Sequence, residues 1–280
     1  MATPTQHAAL IGAVRTVAAA EILPRFRNLD AAEIGEKSSV DDLVTVADRA
    51  AEVALSAAAS RVLPGAAIVG EEMVSEDPSH LEKITGADAC VIIDPIDGTA
   101  NFVAGLPTFG VILALVENGQ TTFGLLYDPV SDDWVAAAAG QGAWYGKPGA
   151  PDRPLRARKV TASQAVGFLS PRLYDNDKRG ALFDAYQGFH LVRSLGCSCH
   201  DYRTIAFGRA DFVSSPMMNP WDHAAGVLVL HELGGETRVA GSAAYAPHLT
   251  QGPIAGAGTP AILPEIIAAQ NAEPRSRLAG

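Results

Sequence analysis

The sequence predicts a mixed α/β protein, with an antiparallel sheet in its first half and a helix-covered sheet in its second. Two observations carry this. Between residues 109 and 146 apolar stretches follow one another directly, joined by tight-turn residues such as Asn118-Gly119, the pattern of hairpin-connected strands. From residue 165 onward apolar runs alternate instead with segments of helical length, the pattern of a sheet packed under helices. With 280 residues, 48% of them hydrophobic, the chain is long enough for one large domain or two ordinary ones.

Residues His7 to Arg27 read as an amphipathic helix, with Leu10, Val14, Val17 and Ile22 near one face and Pro24 close to its end. Its apolar part, Ala8 to Leu23, contains Arg15 and Glu21 and reads as too short and too interrupted to cross a bilayer. Without a basic leader or a cleavage site, a mature cytoplasmic chain is expected. Lys37 to Thr45 reads as a loop entering a short extended piece, and Ala47 to about Val62 as a helix that Thr45 or Asp48 could cap. Asp48 has a second reading, as a site carboxylate. Ala66 to Val69 is a short strand running into Gly70-Glu71-Glu72. Glu71 abuts the strand and is expected to point inward, while Glu72 is read as part of a solvated acidic turn.

The stretch Cys90 to Phe102 organises the rest. Val91 to Ile93 reads as a strand buried on both faces that stops at Asp94, because Pro95 cannot donate to a ladder. Asp94 and Asp97 therefore sit at a strand's carboxyl end. Gly98 and Thr99 open a helical turn whose free N–H groups form an anion site. An EF-hand loop is excluded, since residues 95 and 96 are proline and isoleucine where oxygen ligands would be needed. The spacing of three between the aspartates also differs from the Asp-x-Asp-Gly-Thr of aspartyl-phosphate phosphatases, so no covalent phospho-enzyme is expected. By itself the motif is also compatible with a plain Asp-Pro turn followed by an Asp-Gly turn.

Strands are expected over Phe109 to Val116, Thr121 to Tyr127 and Trp134 to Ala139, with a further turn and strand over Gly140 to Gly146. Lys147 to Arg158, rich in proline, glycine and charge, divides a first half, 1–147, which holds the main acidic motifs, from a second, 158–270. There the reading is strand Ala165 to Ser170, helix Lys178 to Gln187, strand His190 to Ser194 and helix Cys199 to Gly208. Strand Ala210 to Ser214, helix Asp222 to Leu233 and a strand near Thr237 follow, with a frayed tail from Asn271. Pro220-Trp221-Asp222 adds a third acidic position, with Asp222 either a helix cap or a site group.

The net charge of −10 and the absence of a long Lys/Arg cluster argue against a nucleic-acid surface. An acidic enzyme that handles anions needs bound metal to reverse the local sign. Three cysteines, Cys90, Cys197 and Cys199, make neither a disulfide framework nor a structural zinc site, and Cys90 reads as a small core residue.

Gly70-Glu71-Glu72, then Asp94-Pro95-Ile96-Asp97-Gly98-Thr99-Ala100-Asn101-Phe102, then Trp221-Asp222 with Gly234-Gly235 closely resemble the inositol monophosphatase family of metal-dependent, lithium-sensitive sugar phosphatases. The lead-in Lys37 to Asp48 and the Gly142-Ala143-Trp144 turn also look like that family, and the likeness runs from about residue 7 to residue 265. The resemblance implies an αβαβα layered sandwich, a homodimer and Mg²⁺ as cofactor, two or three ions per site. It implies Glu71, Asp94 and the Ile96 carbonyl as ligands of a first ion, Asp94, Asp97 and Asp222 of a second, and Glu71 with Asp97 around a third. Gly98 and Thr99 match the phosphate cradle, and Asp48 with Thr99 the pair that orients the attacking water, with Glu71 also catalytic. Where inositol-specific members carry a substrate-binding glutamate this chain has Ser215, and their Gly-Thr-Ala stretch is Gly196-Cys197-Ser198. Ser198, Ser215, Arg172 and His200 are the candidate substrate contacts, whereas Arg193, Arg203 and His223 read as structural. The expected reaction is in-line attack of water on a small phosphate monoester, an inositol phosphate or related polyol phosphate. Histidinol phosphate, fructose 1,6-bisphosphate and 3′-phosphoadenosine phosphates are alternative substrates, and a non-catalytic metal- or partner-binding relative is the alternative of another class.

Overall fold

The computed structural model describes residues 1–36, 43–240, 243–274 and 276, so the expected loop at Lys37 to Asp42 lies outside the described residues. A small antiparallel pair, β1 (Ile34–Glu36) with β2 (Leu43–Thr45), precedes two larger sheets. The first runs in the order β3 (Ala67–Gly70), β4 (Ala89–Asp97), β5 (Gly110–Glu117), β6 (Gln120–Asp128), β7 (Asp133–Ala138), β8 (Gly142–Gly146), β9 (Arg153–Pro154). Its β3–β4 pair is parallel and the remaining pairs are antiparallel. Asn118 and Gly119, at φ 51° and 74°, make the two-residue turn between β5 and β6, the left-handed geometry that matches strand twist.

The second sheet orders β10 (Val166–Leu169), β11 (Leu191–Arg193), β12 (Phe212–Ser215), β13 (Glu236–Val239) and β14 (Ile254–Ala257) as β11-β10-β12-β14-β13. β10, β11 and β12 are parallel, and β14 runs antiparallel to both of its neighbours.

The helices are α1 (Pro4–Val17), α2 (Val46–Val62), α3 (Glu71–Glu76), α4 (Lys83–Gly86), α5 (Thr99–Val103), α6 (Arg179–Ala185), α7 (Ser198–Ala206), α8 (Pro220–Glu232) and α9 (Leu263–Asn271). Strand alternation assigns their places. Val91 and Ile93, Val111, Leu113 and Leu115, and Phe123 and Leu125 face one way and bury against Leu10 and Val14 of α1 and Ala51 and Leu55 of α2. The intervening residues Cys90, Ile92, Ile112 and Ala114 face the other way, onto Tyr202 and Ile205 of α7 and Ala224 to Leu230 of α8, together with Phe168 and Val213 of the second sheet. The far face of that sheet, Leu169, Phe212, Ala255 and Ala257, packs on Leu182 of α6 and Ile266 of α9. The result is five layers, αβαβα, as expected.

Helix α8 lies between the two sheets and is buried continuously from His223 to Leu230, which is why its sequence is apolar all round. It rests on backbone. A Cβ at Gly124 of β6 would stand 2.8 Å from the Ala225 carbonyl oxygen.

Several boundaries differ from the sequence reading. The first helix begins at Pro4, fixed by a capping box between Thr3 and Gln6, and continues through a π turn and a 3₁₀ turn to Arg25. That run, 22 residues with a mean hydropathy of 1.2, has the length and composition to cross a membrane, contrary to the expectation of a segment too short to do so. Its apolar face is spent in the core: Leu10, Val14 and Ile22 are wholly buried. Strand β14 and helix α9 were not expected.

Candidate active site

Strand β4 does not stop at Asp94. Asp94 pairs with Ile112 and Asp97 with Gly110, so β4 carries one residue more than β5 between these two pairs, and Pro95 lies in the resulting bulge. A bulge leaves a ladder position unpaired, which is where a residue without an N–H is tolerated in a strand. Gly98 follows at φ 87°, and a Cβ on it would meet the Thr108 carbonyl at 3.0 Å and Cys197 Cβ at 3.1 Å. Helix α5 begins at Thr99.

Three carboxylates converge at this bulge. Asp94, Asp97 and Asp222 each present an oxygen, and these atoms lie within 4.8 Å of one another. Asp222 reaches the cluster from the first turn of α8. It is not the cap: Asn219 holds the N-cap position, and its Nδ2 donates to Asp222 Oδ2 at 3.0 Å. Glu71 is the first residue of α3 and shares a hydrogen bond with Asp94, so it does point inward. Asp97 sits against the start of α7, where the amides of Ser198 and Cys199 and the Cys197 thiol all donate to it.

The charges oppose one another. Burial, then Glu71, Asp97 and Asp222, push the Asp94 carboxyl well above the ordinary carboxylate range. Burial and then Asp222 raise Asp97 to about 7, against the donors from α7, which lower it. Among the described residues Asp94 Oδ1 is buried with no hydrogen-bond partner. An all-oxygen set with mutually repelling charges and an unused buried acceptor fits a hard divalent cation.

A second group stands beside it. Thr45 caps α2, its hydroxyl accepting from the amides of Ala47 and Asp48, and Asp48 Oδ2 accepts in return from the Thr45 amide at 2.8 Å. The other oxygen, Oδ1, lies 3.2 Å from Thr99 Oγ1, which also lies 3.0 Å from the Ile96 carbonyl. Asp48 thus closes a capping box and faces the site, with 0% of its surface exposed. Thr45, not Asp48, holds the N-cap, and Asp48 reaches back to it from the first turn.

The candidate substrate contacts disperse. Ser198 is the first residue of α7 and is in place beside Asp97. Ser215 ends β12 and is buried, its Oγ accepting from the Met217 amide at 3.2 Å. The His200 ring is tied to the Phe109 carbonyl at 3.0 Å, and burial lowers its pKa. Arg172 is exposed in a 3₁₀ turn after β10. Among the described residues no hydrogen bond joins Arg172, His200 or Ser215 to the acidic cluster. Glu72 is corrected as well: it is buried at 5% exposure, not solvated. His223 and Arg203 are structural, the first between Tyr202 and Met217, the second between Leu126 and Asp133. Arg193 is exposed on β11, and no ion pair places it in the fold among the described residues.

The model of the inositol monophosphatase family matches residues 5–275. The chain belongs to the inositol monophosphatase family. Within that family it is 32% identical to an inositol-1-monophosphatase of Bacillus subtilis over 206 residues, 72% of this chain and 74% of that one. It is 30% identical over 203 residues to a fructose-1,6-bisphosphatase/inositol-1-monophosphatase of Thermotoga maritima, 72% and 73% of the two chains. A Nus factor SuhB of Pseudomonas aeruginosa is 33% identical over 221 residues, 76% and 78% of the two chains. The solved structure of a Thermotoga maritima IMPase superposes with a TM-score of 0.78 at 26% identity, covering 94% of this chain and 95% of that one. With the family comes the enzyme class, phosphoric monoester hydrolase.

Proposed function

We propose that this chain hydrolyses a small phosphorylated polyol or related metabolite by direct attack of water on the phosphoryl group, with Mg²⁺ as cofactor. The observation that carries the reading is the meeting of Asp94, Asp97 and Asp222 within 4.8 Å beside the Thr99–Asp48 pair. Glu71, Asp94 and the Ile96 carbonyl would hold one ion, and Asp94, Asp97 and Asp222 another, with Glu71 and Asp97 around a third. When bound, such ions stabilise the ionised carboxylates, acidify water and polarise the phosphoryl group.

The chain's own groups do the rest. Gly98 lets the backbone turn close to where the phosphate would sit, and the first amides of α5 that follow would donate to it. The Thr99 hydroxyl donates to Asp48 Oδ1, so its lone pairs are aimed by a fixed acceptor and can orient the attacking water. Glu71, hydrogen-bonded to Asp94 at the start of α3, would take part in the same step by the family likeness. Ser198, whose amide donates to Asp97, remains the candidate substrate contact beside the cluster, while the Ser215, His200 and Arg172 contacts are left with no support from the geometry. A buried serine where inositol-specific relatives carry a glutamate removes a hydroxyl acceptor, and discrimination for myo-inositol falls with it. Lithium inhibition, a cytoplasmic location and a homodimer belong to the same reading, by the family likeness.

The test is phosphate release by the purified chain, with and without Mg²⁺, from inositol 1-phosphate, histidinol phosphate, fructose 1,6-bisphosphate and 3′-phosphoadenosine 5′-phosphate. A metal-dependent preference for one of them is the expected outcome. Mg²⁺ binding with silence on all four would favour the second reading, a binding role, which the relatives named as Nus factors keep in view.

A further inference from the structure

Helix α2 carries a second carboxylate on the face that bears Asp48, one turn further along at Glu52. It is buried at 6% exposure, and each of its oxygens accepts from the same short element. Oε2 accepts from the Glu72 amide at 2.8 Å and Oε1 from the Met73 amide at 2.9 Å. Those are the second and third residues of α3, and the first is Glu71.

A helix start leaves such amides without intrahelical partners, and a capping side chain usually supplies them. Here the N-cap residue is Gly70, which has no side chain to offer. Its bareness is what admits the substitute: a Cβ on Gly70 would lie 2.2 Å from the Glu52 carboxyl carbon and from Oε2. A helix of six residues has little intrinsic persistence, so the direction of its first residue depends on what holds its first turn. The anion from α2 meets the positive end of α3 with two charge-assisted hydrogen bonds.

We propose that Glu52 is a positioning residue, which clamps the first turn of α3 so that Glu71 meets Asp94. This rests on the reading of Glu71 as a metal ligand. It also gives the Gly70-Glu71 pair a physical rule: residue 70 must be glycine because residue 52 occupies the space of its β-carbon. One rigid helix then aligns both the Thr99–Asp48 pair and the Glu71–Asp94 pair.

The experiment measures Mg²⁺ binding to the whole chain by calorimetry for Glu52→Gln, Glu52→Ala, Gly70→Ala, the double variant Glu52→Ala/Gly70→Ala and Glu71→Gln. Thermal unfolding and phosphate release at saturating Mg²⁺ are followed in parallel. Outer-shell partners of metal ligands cost about 10–100-fold in affinity when removed. A loss of that size is expected for Glu52→Gln and for Gly70→Ala, with turnover at saturating Mg²⁺ reduced only a few-fold. The two sites should not add: with alanine at 52 there is room for a β-carbon at 70, so the double variant should bind as Glu52→Ala does. Wild-type affinity in a folded Glu52→Gln, or additive losses in the double variant, overturns the proposal. If Glu52→Gln fails to fold, Gly70→Ala decides, because it displaces the same carboxylate without removing a charge. Unchanged Mg²⁺ binding in Glu71→Gln would instead overturn the ligand reading beneath it. A loss in Glu71→Gln without a loss in Glu52→Gln strikes Glu52 alone.

Discussion

The thiol of Cys197 lies 3.0 Å from Oδ2 of Asp97 and donates to it, alongside the amide of Cys199. Asp97 ends a strand of the first sheet, and Cys197 precedes α7 in the layer between the two sheets, so this contact ties the strand end to that middle layer. An asparagine at 97 would keep the shape, lose the charge and present an NH₂ group to one set of donors. Asp97→Asn should lower turnover by at least about a hundredfold, the upper end of what even outer-shell changes cost a metal site. The metal-free variant should unfold at the same temperature as the parent or higher, since a repelling charge has left a buried cluster. Phosphate release and thermal unfolding together check this, and near-normal turnover would remove Asp97 from the metal set.

Thr99 and Asp48 make a separable prediction. The Thr99 hydroxyl has one proton for two acceptors, Asp48 Oδ1 and the Ile96 carbonyl, and a lone pair left for water. Thr99→Val keeps the volume and removes all three functions. If the pair orients water, kcat should fall by about 10²–10⁴, the range of a positioned acid–base group, with Mg²⁺ affinity close to that of the parent. Calorimetry beside steady-state kinetics reads both, and a matched loss in Mg²⁺ affinity would assign Thr99 to the metal instead.

What the sequence made legible was local. Asp94, Asp97 and Gly98 announce themselves because carboxylates at a strand end and a glycine at a helix start are features of adjacent residues. Pro95 was misread because a bulge is decided by β5, the strand opposite. Asp48 was ambiguous because Thr-x-x-Asp is a good capping pattern whether or not the second aspartate oxygen has other work. Glu72 is buried rather than solvated because tertiary packing covers it, and the partner of its amide is Glu52, twenty residues earlier. Strand β14 escaped notice because Ile254-Ala255-Gly256-Ala257 is short and small-sided, although it sits between two strands of the second sheet. The substrate end was the least legible: whether Ser215 or His200 faces a cleft or a neighbouring carbonyl depends on packing between layers, which no spacing encodes.

Arg203 joins two layers away from the acidic cluster. It is 4% exposed on α7, donates to the Leu126 carbonyl at 2.8 Å and pairs with the Asp133 carboxylate at the start of β7. Truncation to alanine would leave Asp133 without its cation in a partly buried place. Removing one partner of a buried pair costs about 3–5 kcal/mol. Arg203→Ala should therefore lose stability of that order in urea unfolding, while Arg203→Met, which keeps an unbranched apolar stem, should recover only the smaller packing part of the loss because the stranded Asp133 charge dominates. A loss under about 1 kcal/mol in both would show that water reaches Asp133 readily.

His223 supplies the pH test. Its ring is 3% exposed, with Nε2 3.2 Å from the Met217 carbonyl and Nδ1 2.8 Å from the Tyr202 hydroxyl. A carbonyl only accepts, so Nε2 carries the proton and Nδ1 accepts from Tyr202, a neutral ring with both nitrogens used. Burial lowers its pKa from 6.5 to about 4, outweighing the Met217 bond, which raises it. Between those values the unfolded chain binds a proton that the folded chain does not, so stability from this residue is complete above pH 6.5 and is lost as pH falls toward 4. A gap of that width is worth about 3 kcal/mol. Asp94 and Asp97, with raised pKa values, act with the opposite sign in the metal-free protein, so the wild type by itself cannot isolate the effect. The difference in unfolding free energy between wild type and His223→Gln can, because the carboxylates are common to both. That difference should shift against the wild type by about 3 kcal/mol from pH 7 to pH 4. A difference that stays constant over this range would mean that the imidazole titrates in the folded protein as it does in the unfolded chain.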